Sequence, residues 1–398
     1  VGGTGPVHET LAAMPLVDHH CHGVVTGDLD RAGFDALLTE GEPGPRGSAF
    51  DTPVGLSVRR DCAPLLDLPR HAPADAYLTR RAELGTAEVN RRFLRAAGVA
   101  ALCVDTGYTP VPLTTPGQLA EAAGATPHVV VRLEAVAESV AASGVEPDEY
   151  ADAFHAALED AVRRPEVVAV KSVAAYRTGL DLELARPTDA LVTASARQWL
   201  RDGGRLADPV LTRHLLWTAV DLGLPLQLHT GFGDADLRLQ RANPVLLTDW
   251  LHLMRGAIPV LFLHCWPYQR EAAYLAAVLD HVYLDVGLAL HHIGPARARA
   301  VLAEALEITP FRKLLYSSDA YGLAEFHTLG ALAFRRGLGE LLQDRVDSDD
   351  LSLPDALRIA AWTAGDNARR LYGLSSAEPS ADPSAHPTTT ERPHSRKV

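Results

Sequence analysis

The chain has 398 residues, 47% hydrophobic and 22% charged, the balance of a globular protein able to bury a large core. A formal net charge of −13 argues against nonspecific binding to nucleic acid or an anionic membrane. Four cysteines at irregular spacing make no disulfide framework, no secretory signal is visible and no apolar run could span a bilayer, so a cytoplasmic protein is expected.

The first apolar run, MPLVDHHCHG, predicts a strand over 14–20 that closes on Asp18, His20 and His22. Side chains alternate along a strand, so the two imidazoles of a His-x-His pair share a face. Asp18 is expected on that face too, packed below and orienting an imidazole, with His19 and Cys21 turned away. Residues 23–97 are too long for one crossover. The early half is Gly/Pro-rich and the later half, 58–97, reads as helices. The segment is expected to be a helical insertion over the mouth of the fold, or alternatively a dimer contact.

Strands are then expected at 99–105 and 128–134, bringing Asp105, Thr106 and Glu134 to strand ends. Helical periodicity follows at 148–164. The strand at 167–173 carries Lys171, with Tyr176 and Arg177 just beyond. A lysine there can react with carbon dioxide to give a carbamate that bridges two metals, or stay charged and bind a substrate carboxylate, or merely snorkel. Arg177 is placed to fork onto a carboxylate, which suggests an anionic substrate. A helix at 211–223 leads to a strand at 224–229 ending on His229, then a turn of Gly231, Phe232, Gly233 and Asp234. A helix at 244–256 leads to a strand at 259–264 ending on His264. Cys265 is expected on the opposite face, and Trp266 and Tyr268 as an aromatic wall. A helix at 269–281, in which Arg270 can pair, precedes a strand at 282–287. His291 and His292 follow as a solvated loop pair. The last strand, 314–318, runs into Asp319. Helices at 323–343 and 353–373 close the fold, and the Ser/Pro/Thr-rich tail 375–398 is expected to be disordered, its His386 and His394 not ligands.

Strand and helix alternating eight times predict a (β/α)8 TIM-like barrel over residues 1–374. An open doubly wound sheet is disfavoured, because no Gly-x-Gly-x-x-Gly turn follows the first strand. A lone strand-end histidine is usually structural. His20, His22, Lys171, His229, His264 and Asp319, at equivalent ends of successive strands, together form a candidate centre for one or two divalent metals, zinc being the expected ion. Asp319 and His264 are the expected catalytic residues, Asp319 taking a proton from the attacking water.

These motifs resemble the amidohydrolase superfamily: Asp-x-His-x-His at Asp18, His20 and His22, then His229, His264 and Asp319 in order. More narrowly, KSVAAYRTGL, LHTGFGDADLRLQRANP, LHCWPYQREAAYLAAVLDHVYLDVGL, YSSDA and DNARRLYGL are similar to the amidohydrolase-2 branch related to nodulin and to the N-terminal domain of fungal FluG-type glutamine-synthetase fusions. No glutamine-synthetase domain follows here, and a stand-alone form is expected. The resemblance implies a metal-dependent barrel hydrolysing an amide or related C–N bond of a small molecule. A nonoxidative decarboxylase of the same superfamily is the alternative, and some distant members isomerise uronic sugars. A lysine at position 171 matches the two-metal subtypes. A homo-oligomer is expected.

Overall fold

Val- and Leu-rich runs without polar alternation can hide both faces only in a parallel sheet covered by helices. The computed structural model, which describes residues 5–41, 49–183, 185–254 and 256–375, contains seven such strands. They are β1 Leu16–Cys21, β2 Val99–Asp105, β3 Thr126–Arg132, β4 Val167–Ser172, β5 Leu226–His229, β6 Val260–Leu263 and β7 Val282–Leu284. Each pairs in parallel with the next in chain order, from β1 to β7, in one curled sheet.

The eighth expected strand, 314–318, is not a regular strand. The segment still bonds to both edges of the sheet. Leu315 N donates to Leu284 O of β7 at 3.0 Å. On the other side His19 N of β1 donates to Tyr316 O at 3.1 Å, and Asp319 N to His20 O at 3.0 Å. Its geometry departs from an extended strand because Ser318 is tied to Asp18 through both N (2.9 Å) and Oγ (2.5 Å) and because Asp319 adopts a left-handed backbone, φ 48°.

Two separate apolar clusters follow from the alternation. Val17, Ala101, Cys103, Val130, Ala169, Leu261 and Leu315 meet inside the curl and are plugged from below by Ala368 and Tyr372. Their neighbours along the strands, such as Leu16, Leu102, Val170, Leu226 and Phe262, pack outward against the helices. The long helix Ala324–Asp347 is the most buried of these, lying against Pro6–Ala13, Thr86–Ala97 and Pro295–Ala305.

A bulge in β1 corrects the expected alternation. Asp18 and Cys21 pair with Leu102 and Val104, so three steps on β1 match two on β2. The extra residue lets His19, His20 and His22 all reach the interior. Asp18 instead faces the helix layer, where it holds Ser318 and lies 3.7 Å from His327 Nδ1, so it orients the Asp319 segment rather than an imidazole. All four cysteines are buried and unbridged, as expected of small apolar side chains.

Other boundaries shift by a few residues. β3 ends at Arg132, leaving Glu134 in the first turn of helix Leu133–Ala142. The helix expected at 244–256 is a tight turn, Pro244–Leu247, continued by Thr248–Leu253. His291 and His292 end a helix, Gly287–His292, and His291 is buried against Phe326 rather than solvated. Between β1 and β2 the chain forms helices including Arg31–Leu37, Ala74–Leu84 and Thr86–Ala97, and both Tyr77 and Arg81 reach Glu325 of the long helix, at 2.9 and 3.0 Å. Residues 42–48 of the expected insertion, and the expected tail apart from Ser375, lie outside the described residues.

Candidate metal centre

The strand ends bring four imidazoles and two carboxylates to one point. His20 and His22 arrive from β1 and the residue after it, Asp105 ends β2, Lys171 lies on β4, His229 ends β5, His264 follows β6 and Asp319 follows the irregular eighth segment. Asp319 sits at the middle. Its Oδ1 lies 3.1 Å from His20 Nε2 and 3.5 Å from His22 Nε2, and its Oδ2 lies 3.2 Å from His264 Nε2. The His229 ring is centred 4.7 Å from that of His264. Lys171 Nζ is 3.1 Å from His20 Nε2 and 3.9 Å from Asp105 Oδ2.

Two overlapping triads, His20–His264–Asp319 and His20–His22–Asp105, have donor atoms all within 4.8 Å of one another. A third set, Asp18–Cys21–His327, lies in the helix layer, with Asp18 already bonded to Ser318. His229 Nε2, His264 Nε2 and Asp319 Oδ1 are buried and make no hydrogen bond among the described residues. Burying such atoms unpaired costs about 1–3 kcal/mol each. A divalent cation fits, since it would satisfy all of them together and is held by neutral imidazole and carboxylate.

Electrostatics supply those protonation states. Burial, followed by the Lys171 charge, pushes His20 down to about 3. Burial and then His264 hold His229 well below its ordinary value, and burial lowers His264. The imidazoles of His20, His229 and His264 are therefore neutral, as metal ligands must be. Burial favours the protonated form of Asp319, but the neighbouring His264, His20 and His22 together hold it well below the usual carboxylate range. Burial also lowers Lys171, against the opposing pull of Asp105.

The backbone is bent to make this convergence. His264 and Cys265 are both left-handed, φ 71° and 57°. Non-glycine residues there cost roughly 1–3 kcal/mol, so the surroundings must hold them. Asp285, just past β7, does so: its Oδ1 accepts His264 N and Gly287 N, both at 2.8 Å. His20 Nδ1 meets Gln227 Oε1 at 2.8 Å, and His22 Nδ1 meets Asp105 O at 3.1 Å. Arg132 clamps Asp105 Oδ2 through Nε (3.0 Å) and Nη2 (2.6 Å). Glu134 accepts Ser172 Oγ and Val173 N, at 2.7 and 3.0 Å, fixing the chain beside Lys171.

A cavity of about 110 Å³ opens on this centre, room for a small molecule only. His22, Lys171, His229 and Asp319 form part of its floor, Tyr108, Tyr176 and Tyr321 its aromatic walls, and Glu40, Arg132, Arg205 and Asp234 its charged lining. Tyr176 packs against His229 with ring centres 4.5 Å apart and planes tilted by 53°. Only glycine fits at 233, since a Cβ there would lie 2.0 Å from the Tyr176 hydroxyl.

Of the expected substrate-facing residues, Tyr176 and Asp234 line this cavity. Arg177 points away to Glu138, at 3.1 Å, because the short helical turn Ala174–Arg177 rotates consecutive side chains apart. Trp266 packs on Phe232, and the Tyr268 hydroxyl donates to Leu239 O at 3.1 Å. The two left-handed residues before them turn the chain off the rim. Arg270 pairs with Glu307 at 2.8 Å, as a helix residue can. The sequence reading missed Gln227, Asp285, Arg132, Tyr108 and Tyr321. Gln227 stands two residues before His229 on the same strand face, a signal that could have found it.

Residues 113–374 match the family described as Amidohydrolase. The chain belongs to the amidohydrolase family. Among its relatives, the fluG protein of Emericella nidulans is 29% identical over 427 residues, covering 97% of this amidohydrolase chain and 49% of that protein. The chain thus spans about half the length of that curated relative. A protein described as a metal-dependent hydrolase from Lactobacillus casei is similar in structure, with TM-score 0.82 and 28% identity over 93% of this chain and 98% of that one. Uronate isomerase of Thermotoga maritima shares the fold at TM-score 0.63 and 13% identity, over 92% and 96% of the two chains.

Proposed function

We propose that this amidohydrolase is a metal-dependent hydrolase cleaving an amide or related C–N bond of a small polar substrate. We read the curled sheet and segment 314–320 as a closed (β/α)8 barrel, with the 23–97 segment over its mouth and Glu40 at the rim. The observation that carries the proposal is the buried convergence of His20, His22, His264 and Asp319, with His264 Nε2 and the neighbouring His229 Nε2 left without a hydrogen-bond partner among the described residues. His20, His22, His229, His264 and Asp319 are the proposed metal-holding residues, zinc is the proposed ion, and a cytoplasmic homo-oligomer is the proposed setting.

A divalent cation bound there would polarise the scissile carbonyl and bring the pKa of a coordinated water to about 7. The protein residues do the rest. Asp319 is ionised and central, so one carboxylate oxygen can take the proton of the attacking water and return it to the leaving nitrogen. His264, locked by Asp285 through its backbone, keeps its ring fixed beside that carboxylate. Tyr176 and Tyr108 wall the cavity and limit water entry. Lys171 is buried, and its amine is biased toward the neutral form. A neutral amine can add to carbon dioxide, forming an N–C bond and releasing one proton. A carbamate on Lys171 would supply two oxygen donors beside these residues, and we propose that it would bridge a two-cation centre.

The test is a product assay on N-acyl amino acids, γ-glutamyl amides and aromatic acids with the metal-loaded chain. Release of amine or ammonia with incorporation of solvent oxygen supports the hydrolase. Carbon dioxide release without solvent oxygen replaces it with the decarboxylase.

A further inference from the structure

The terminal run DNARRLYGL lies far from the cavity, yet it reaches the metal-facing residues from below. Asn367 Nδ2 donates to Phe311 O (2.9 Å) and Leu314 O (2.8 Å), steadying the segment that leads to Asp319. Tyr372 rises into the interior, where its hydroxyl meets Gln227 Nε2 at 2.9 Å and His19 Nδ1 at 3.0 Å.

These contacts form a chain whose direction is fixed at one point. Gln227 Nε2 also lies 2.9 Å from the backbone carbonyl of His19, which can only accept. The amide nitrogen must therefore face His19 O and Tyr372, and Oε1 must face His20 Nδ1 at 2.8 Å. His20 Nδ1 then carries the proton, and the unprotonated Nε2 of the neutral ring faces Lys171 Nζ, which can donate to its lone pair, at 3.1 Å. At the other end, Gln227 donates to the Tyr372 oxygen, so the Tyr372 proton is free for His19 Nδ1. His19 Nε2–H then donates to Asp285 Oδ2 at 2.9 Å, and Asp285 Oδ1 holds the backbone of His264. Every donor has an acceptor, and two proposed metal ligands are tied to one interior circuit.

Building on the metal centre proposed above, we propose that Gln227 and Tyr372 are positioning residues: they hold His20 as the Nδ1–H tautomer, so that Nε2 presents a permanent lone pair to a divalent cation. The C-terminal motif thereby belongs to the metal site, although it touches neither cation nor substrate. Outer hydrogen bonds of this kind are typically worth about 10–100-fold in metal affinity.

Two measurements test it. In the metal-stripped chain labelled with 15N-histidine, long-range proton–nitrogen correlation should show His20 with a protonated Nδ1 and a bare Nε2, the signal being assigned by its loss in His20→Ala. Zinc affinity by chelator competition should fall about 10–100-fold in Gln227→Leu and about 10-fold in Tyr372→Phe. Gln227→Glu keeps an acceptor for His20 and should recover most of the affinity, although its carboxylate opposes His19 O and lowers stability. Mere packing would instead make the glutamate variant the worst binder. A protonated Nε2 in the metal-free wild type overturns the proposal whether or not the variants fold, and so does unchanged zinc affinity in folded Gln227→Leu. Failure of the wild type to bind any divalent cation would defeat the proposed function, whereas a zinc-binding wild type with the opposite tautomer would defeat only this inference.

Discussion

Removing the Asp285 carboxylate should loosen the metal centre without touching a proposed ligand. Asp285 is fully buried, and its pKa is held at about 2: burial works against ionisation, but the hydrogen bonds from His19 and Gly287 outweigh it. It accepts three hydrogen bonds, from His264 N, Gly287 N and His19 Nε2, all between 2.8 and 2.9 Å. Asp285→Ala leaves all three donors buried without an acceptor, at about 1–3 kcal/mol each, or about 3–6 kcal/mol with partial relaxation. At an unfolding entropy of about 2 cal/mol/K per residue, that is a fall in Tm of about 4–7 °C. It also frees the left-handed backbone of His264, φ 71°, to relax, carrying its imidazole away from Asp319. Asp285→Asn keeps one oxygen for both backbone donors but forces the His19 proton onto Nδ1, which takes away the acceptor of the Tyr372 hydroxyl, so its loss should be about 1–2 kcal/mol. The assay is thermal melting of metal-free protein beside zinc titration of each variant. An alanine variant that melts and binds zinc as the wild type does would refute the assignment of Asp285 as the support of His264.

Further outcomes can be checked separately. Asp319→Asn should still bind metal while turnover drops about 100-fold or more, because a proton carrier is worth about 10²–10⁴; steady-state rates of the zinc-loaded variant decide this. Lys171→Ala should lose one of two bound ions and regain activity in part with bicarbonate and a short carboxylic acid, and a fully active variant binding the same metal would exclude the carbamate. The metal-free protein should lose stability in acid. His20, at about 3 when folded, and His229 and His264, also lowered, stay neutral while the unfolded chain takes up protons below about 6.5. Their contribution is thus present above pH 6.5 and is lost as pH falls from there toward 3. Between pH 6.5 and 5.5 the loss from His20 is about 1 kcal/mol, with His229 and His264 adding in the same direction, measurable by urea unfolding. Gly233→Ala should impair activity by driving Tyr176 off His229, read as a raised KM or lowered kcat with little change in bound metal.

The strand runs and the ligand types were legible because burial on both faces and period-2 spacing leave plain marks, as in LPLQLHT and PVLFLHC. What alternation alone could not reveal was the extra residue in β1. That bulge sends Asp18 to the helix layer and brings His19 inward, the reverse of the simple reading. The substrate side was the least legible. Arg177, Trp266 and Tyr268 follow strand ends in sequence, but a helical turn and two left-handed residues redirect them. The cavity walls come instead from Tyr108 and Tyr321, on loops whose course depends on tertiary contacts. Asp285 carries an ordinary strand-end signature and only its contacts identify it, whereas Gln227 shares the strand face of His229 and was within reach of the period-2 spacing.

The most direct measurement is metal analysis of the purified chain, with and without His20, which both donor triads share. Wild type should carry about two divalent ions per chain, as two-metal hydrolytic sites do, and His20→Ala should lose most of both while remaining folded. A wild-type chain that takes up no divalent ion, or a His20→Ala chain that holds as much as the wild type, would contradict a metal centre at this convergence.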